Sequence, residues 1–170
     1  MIRADQDFTM STNHPVAVLQ AQASQGALGI DSKYPGGDPS IEIVPPREQY
    51  RQSYVFLTPD KYGFDFVTIV GPHDAHILLD RAPLPTTCSV SPADGIMRRP
   101  TDPPPEDVIY RCQLSYPDVT SSPRPRVLSG DQNDGVHSVI ADKPVSVLVF
   151  GFDAYVSYGY FGGLNLQRLH

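Results

Sequence analysis

The sequence predicts an all-β fold, an antiparallel, jelly-roll-like β-sandwich with long proline-rich loops and little helix. Three observations carry this. Proline supplies 18 and glycine 13 of the 170 residues, and each interior proline costs a helix about 3 kcal/mol. Short runs of β-branched and aromatic residues recur between turn signals. The clearest of them alternate: in "FDFVTIVGP", Phe64, Phe66, Thr68 and Val70 fall on one face, and Asp65, Val67 and Ile69 on the other. A chain of this length fits one domain over residues 1–170 and can bury roughly 70% of its unfolded surface.

In chain order, "HPVAVLQAQ" (14–22) predicts a strand with Pro15 at its start, where a missing N–H does least harm. "KYPGGDPS" is a loop. A strand follows around Tyr54–Leu57, then the alternating strand from Phe64. "PHDA" predicts a turn, with "HILLD" returning as the hairpin partner of that strand. Residues 83–105 are expected to be a proline-rich loop. It ends in the spacer "RRPTDPPPED", whose Pro100 and Pro103 give a PxxP spacing that reads better as a stiff linker than as a docking motif. "VIYRCQLSYP" is a strand, residues 120–126 a second proline-rich loop, and "SGDQNDG" a turn.

The last third gives the strongest signal. Val145, Val147 and Val149 share one strand face, with Leu148 and Phe150 on the other, which predicts burial on both sides. "GFDA" is read as a turn, with Gly151 free to adopt positive φ and Asp153 capping it. "FDAYVSYGYFGGLNL" holds three tyrosines and two phenylalanines without a lysine, arginine or glutamate. Its rings are expected to pack as sheet interior, with hydroxyls on a rim or a buried acceptor. An exposed aromatic platform is the alternative, with Tyr155 its foremost member. "FTMSTNHPVAVLQ" also aligns with "HSVIADKPVSVLV" at an offset of 129, placing Pro15 on Pro144 and Leu19 on Leu148. That echo fits one strand type used twice in a two-sheet architecture.

A formal charge of −6 argues against a nucleic-acid partner, which is bound by Lys and Arg neutralising phosphates. No apolar run approaches the ~18 residues of a membrane-spanning helix. The opening "MIRADQDFTM" lacks the apolar core of a signal peptide, so a cytosolic chain or a trimmed exported one is expected. Cys88 and Cys112, 24 positions apart, lack the companions of a zinc site. In an exported chain they are expected to form a disulfide; two buried thiols are the alternative.

Candidate chemistry is sparse. His73, His76 and Asp80 in "GPHDAHILLD" form the foremost metal candidate, but no third ligand is fixed by spacing, and a polar turn is the better reading. "DQNDG" falls one residue short of a calcium-loop spacing and reads as a turn using Asn133 and Gly135. His137 would need a nucleophile and an orienting acid to act as a base, and alternation turns Ser138 to the opposite face. A hydrogen-bonded structural histidine is expected. No cofactor is called for.

"EQYRQSYVFLTPDKYGFDFVTIVGP", "HILLD" and "GVHSVIADKPVSVLVFGFDAYVSYGYFGGLNL" together resemble the IgGFc-binding protein N-terminal domain family. The resemblance covers residues 8–20 and 41–168, with its specific places at Tyr54–Val70, at Gly135 and His137, at Pro144–Val145 and at Ser157–Gly163. The chain departs from the family at Phe161, where proline is commoner, and at Arg81, where glycine is frequent. The family domain is usually longer, so the match implies a partial or trimmed domain. It implies an exported, extracellular or cell-surface, non-catalytic binding or adhesion module, taking a glycoprotein, glycan or protein partner. No set of contact residues carries over. Read from the residues, Tyr155, Asp153 and Phe161 on the last hairpin and its exit are the expected contacts. A structural module packing on neighbouring domains or on itself, and an accessory domain of a carbohydrate-active enzyme, are the alternatives.

Overall fold

The computed structural model describes residues 2, 6–32, 34–60, 62–115 and 132–166. Ten strands are described: β1 (Val18–Ala21), β2 (Ile41–Val44), β3 (Arg51–Thr58), β4 (Phe64–Pro72), β5 (Ile77–Leu79), β6 (Ala82–Pro83), β7 (Ser89–Pro92), β8 (Asp107–Ser115), β9 (Gly135–Asp153) and β10 (Val156–Phe161). The one helical element among them is a 3-10 turn at Arg47–Gln49. Every described strand pairing is antiparallel. The chain is all-β and antiparallel, as its composition predicts.

β9 is the spine. Its first half lies between β3 and β5, and its second half between β4 and β10. The partners change around Asp142–Pro144, so one 19-residue strand serves two sheets. Strands that pass between sheets in this way form the corners of folded-over β architectures. Pro144 has no N–H to donate, and it sits where β9 passes from one set of partners to the other. Alternation survives the corner: His137, Val139, Ala141, Val145, Val147 and Val149 are all buried.

These side chains meet Tyr54 and Phe56 of β3, Val67 and Ile69 of β4, Ile77 and Leu79 of β5, and Cys112 and Leu114 of β8 in one core. Each buried branched side chain contributes roughly 1.5–3 kcal/mol. The buried face of β4 is therefore the Asp65–Val67–Ile69 face. Phe64, Phe66 and Thr68 look outward and are half-buried.

Four expectations need correction. "HILLD" does not return onto β4, whose two edges are taken by β8 and β9. β5 joins the first half of β9, where Ile77 and Leu79 reach the common core. Residues 83–105 are not loop throughout. β7 pairs with β8 as an edge strand, where Pro92 at its end costs little ladder bonding. Gly151 lies inside β9, with no positive φ, and the turn falls at Ala154–Tyr155. The echo between residues 8–20 and 137–149 has no structural counterpart. Val16 and Leu19 are exposed and β1 pairs only with β2, whereas Val145 and Val147 are fully buried in the spine. The expected loop at 120–126 lies outside the described residues.

Cys88 and Cys112 are joined in a disulfide that ties the start of β7 to the core side of β8. For a loop of this length the cross-link contributes roughly 3 kcal/mol, chiefly by restricting the unfolded chain.

Candidate functional site

The tyrosine-rich tail packs as sheet but is not interior as expected: residues 152–166 are half-buried or exposed, because β10 lies at the edge of the sheet beside β9. Tyr158 and Tyr160 pack against the core from β10. The Tyr160 hydroxyl donates to the Leu57 carbonyl and accepts from the Leu57 N–H at 2.9 Å, which fastens β10 to β3. The Tyr158 hydroxyl donates to Asp65 Oδ1 at 2.5 Å. Burial, and then the Asp65 carboxylate, push the Tyr158 hydroxyl far above the ordinary tyrosine range. Burial likewise raises the carboxyl of Asp65, which is fully enclosed, against the opposing bonds from Tyr158 and Ser115. Asp65 is shut away from solvent, the Tyr158 and Tyr160 rings are half-buried, and the bonds between them and their partners serve as struts.

The tip of the β9–β10 hairpin is different. Val156 pairs with Asp153, which leaves a two-residue turn of Ala154 and Tyr155. Asp153 Oδ1 accepts the Ala154 N–H at 2.6 Å, and the Asp153 carbonyl accepts the Gly37 N–H at 3.0 Å. Tyr155 is 52% exposed and has φ of +57°, a left-handed conformation that costs a non-glycine residue about 1 kcal/mol. Phe161 is at the opposite end of β10, paired with Leu148 and half-buried. Asp153 and Tyr155 are thus neighbours, and Phe161 is roughly 20 Å further along the strand.

His73 and His76 lie on the connection from β4 to β5. His73 N–H donates to the Glu106 carbonyl, His76 N–H to Asp142 Oδ1, and Asp74 between them pairs with Lys143. Asp80 turns elsewhere: its Oδ2 meets His137 Nδ1 at 2.7 Å, and its Oδ1 accepts the Ser138 N–H at 2.8 Å. The far ring nitrogen of His137 lies 3.1 Å from Thr58 Oγ1 and 2.9 Å from the Asn133 carbonyl. An acid, an imidazole and a hydroxyl thus stand in the order of a nucleophilic triad. The hydroxyl is fully buried, however, and the ring is stacked on Phe56. A nucleophile sealed in this way meets no substrate; the trio joins the β5–β6 turn to β3 and β9. Gly135 adopts φ of +109° just before it. Among the described residues, no group of three or more His, Cys, Asp or Glu side chains is placed to hold a metal ion.

A cleft of about 220 Å³ lies between the β1–β2 ribbon and the outer face of β9, lined by Gln20, Gln22, Glu42, Leu148 and Phe150. The ribbon turns Glu42 inward, with half-buried Val18 and Val44 on the same face. Glu42 is 6% exposed, while Leu19, Ile41 and Ile43 are 65–69% exposed. Glu42 makes no hydrogen bond or ion pair with another described residue. It lies over Gly159 of β10, where any Cβ would collide with its carboxylate. Phe150 belongs to a half-buried row of stacked rings, 5.0 Å from Phe66, with Phe64 and Phe152 4.8 Å apart beside it. The alternation of "IEIV" is a faint trace of the cleft, but alternation does not say which face turns inward.

Comparisons with curated proteins and with solved structures gave no match. A family model described as IgGFc binding protein matches residues 1–151. The match takes in the core strands, the disulfide, the cleft and the His137 network, and stops before the hairpin tip. With most of its length matched, the chain belongs to the IgGFc-binding protein family.

Proposed function

We propose that this domain is a non-catalytic binding module of an exported or surface protein, recognising a glycoprotein, glycan or protein partner, with the hairpin tip at Tyr155 and Asp153 as its contact. The observation that carries the choice of surface is the backbone of Tyr155. A large aromatic residue held exposed in a left-handed turn, where glycine would be cheaper, is strain without a packing return, and such strain gathers at functional positions. Family membership supports a binding role, and the disulfide supports an oxidising compartment. The sealed hydroxyl of Thr58 and the lone carboxylate in the cleft lining support a role without catalysis.

The test is a screen against immunoglobulins and a glycan array, with and without EDTA. Saturable binding that falls at least about tenfold in Tyr155→Ala, a loss near 1.4 kcal/mol, is expected, with thermal stability close to that of the parent because the ring is exposed and alanine keeps the same backbone strain. Undiminished binding in this variant would overturn the choice of the tip. Absence of binding across both panels would overturn the module.

A second reading, an assembly module, is favoured by one observation. Val55, Leu57, Leu78, Val136 and Ile140 project from neighbouring strands of the β3–β9–β5 sheet and are all exposed.

A further inference from the structure

We propose that the cleft under the β1–β2 ribbon binds a single neutral sugar ring, of the size of a terminal hexose. This rests on the reading of the domain as a binding module and names a ligand class for a surface separate from the hairpin tip. A pyranose offers an apolar face of C–H groups and a rim of hydroxyls. The cleft offers the complement. Leu148 and Phe150 supply the apolar wall, and Phe150 is held in place by its stack on Phe66. Gln20, Gln22 and Glu42 supply polar groups on the ribbon side. Gln22 Oε1 already accepts the Ser40 hydroxyl at 3.2 Å, which leaves its NH₂ for a ligand oxygen.

Glu42 gives the strongest argument. The residue is 6% exposed overall, lines the cleft, and makes no bond to a described side chain or N–H, so its carboxylate oxygens are left to accept from whatever occupies the cleft. Sugar hydroxyls are donors that would serve them, and a hydrogen bond to a charged acceptor is worth more than a neutral one. Gly159 beneath it is required for the same geometry, since a side chain there would drive the carboxylate out.

Size and charge narrow the ligand. About 220 Å³ is below the range of drug-sized pockets and suits one ring. The lining has one carboxylate and no cation, in a chain of net charge −6, so sialic and uronic acids are disfavoured. One carboxylate and two amides are too few ligands for a calcium ion.

The experiment is a titration of the ¹⁵N-labelled domain with methyl glycosides of glucose, galactose and mannose, beside N-acetylneuraminic acid and ethylammonium, up to tens of millimolar. At least one neutral glycoside is expected to bind saturably with Kd of about 1 mM, shifting Phe150 and Gly159, with N-acetylneuraminic acid at least about tenfold weaker. Glu42→Ala is expected to weaken the glycoside about tenfold or more. Gln20→Ala, at an exposed position, is the second variant should the first fail to fold, with a loss of several-fold expected. Tyr155→Ala, roughly 13 Å away along β10, leaves glycoside binding unchanged. No saturable shift with any neutral glycoside, tighter binding of ethylammonium or the acidic sugar, or shifts indifferent to both ribbon variants would overturn the proposal. A macromolecular partner captured through Tyr155 with no glycoside bound sinks the cleft alone; glycoside binding unaccompanied by such a partner sinks the tip alone.

Discussion

Arg81 has a backbone conformation that L side chains avoid. It follows Asp80 in the two-residue turn between β5 and β6, with φ of +66° after +51°. The two residues fare differently. Asp80 recovers its cost through bonds to the Ser138 N–H and the His137 ring, and aspartate tolerates this region better than most residues. Arg81 is exposed and has no comparable anchor. Glycine needs no left-handed penalty, although it loses more freedom on folding. The net expectation for Arg81→Gly is a gain of about 1 kcal/mol, read as a higher urea midpoint at unchanged slope. A lower midpoint would show that the guanidinium stabilises the turn. What separates the two strained positions is place: Arg81 lies in the β5–β6 turn beside the start of β9 and Tyr155 at its far end, so Arg81→Gly should leave binding intact, while Tyr155→Gly should lose it with the ring.

At the scale of elements, β9 and β10 pack more tightly than alternation alone can convey. Gly151 lies within β9 because β4 and β10 close over it. A Cβ there would stand 2.5 Å from the Tyr158 ring and 2.6 Å from the Phe64 carbonyl. The ring could move, but the carbonyl belongs to the β4 ladder. Gly151→Ala is therefore expected to destabilise by about 2 kcal/mol, within the range for overpacked cores, and to weaken the Tyr158–Asp65 bond. Equilibrium unfolding measures the first, and a Tyr158 hydroxyl that titrates closer to the ordinary range reports the second; a neutral substitution would mean that β4 and β10 part easily. Composition and alternation made β3, β4, β8 and the inward valines of β9 legible, because those signals are local. The sequence did not reveal that β9 runs unbroken through Pro144, or that "HILLD" pairs with β9. Both depend on which edges are free once β4 has two partners, a property of the assembled sheet. The inward face of "IEIV" was hidden for the same reason: period two gives two faces and leaves their environment unstated. The hydroxyl anchors of Tyr158 and Tyr160 were foreseeable only as a residue type seeking an acceptor.

At the scale of the molecule, the outward face of the β3–β9–β5 sheet sets the question of assembly. Val55, Leu57, Leu78, Val136 and Ile140 are all exposed on it. Strand spacing and rise give this patch roughly 15 by 20 Å, or about 300 Å², the size of a functional patch on an ordinary monomer. A stable dimer needs about 800 Å² from each partner, so two such faces meeting would bury too little to hold firmly. Net charge of −6 works against self-association as well. The expected behaviour is a monomer at low micromolar concentration that pairs weakly, with Kd of about 100 µM. Sedimentation velocity over a concentration series would register this as a rising coefficient. Val55→Lys, in the middle row of the patch, should abolish the rise at little cost to folding because its side chain is exposed. A tight dimer indifferent to this substitution would move the interface to another surface, with the outward Leu19, Ile41 and Ile43 of the ribbon the next apolar group. That outcome would also bear on the cleft, since a second copy seated on the ribbon would fix the strands that carry Gln20 and Glu42 and stiffen its polar wall.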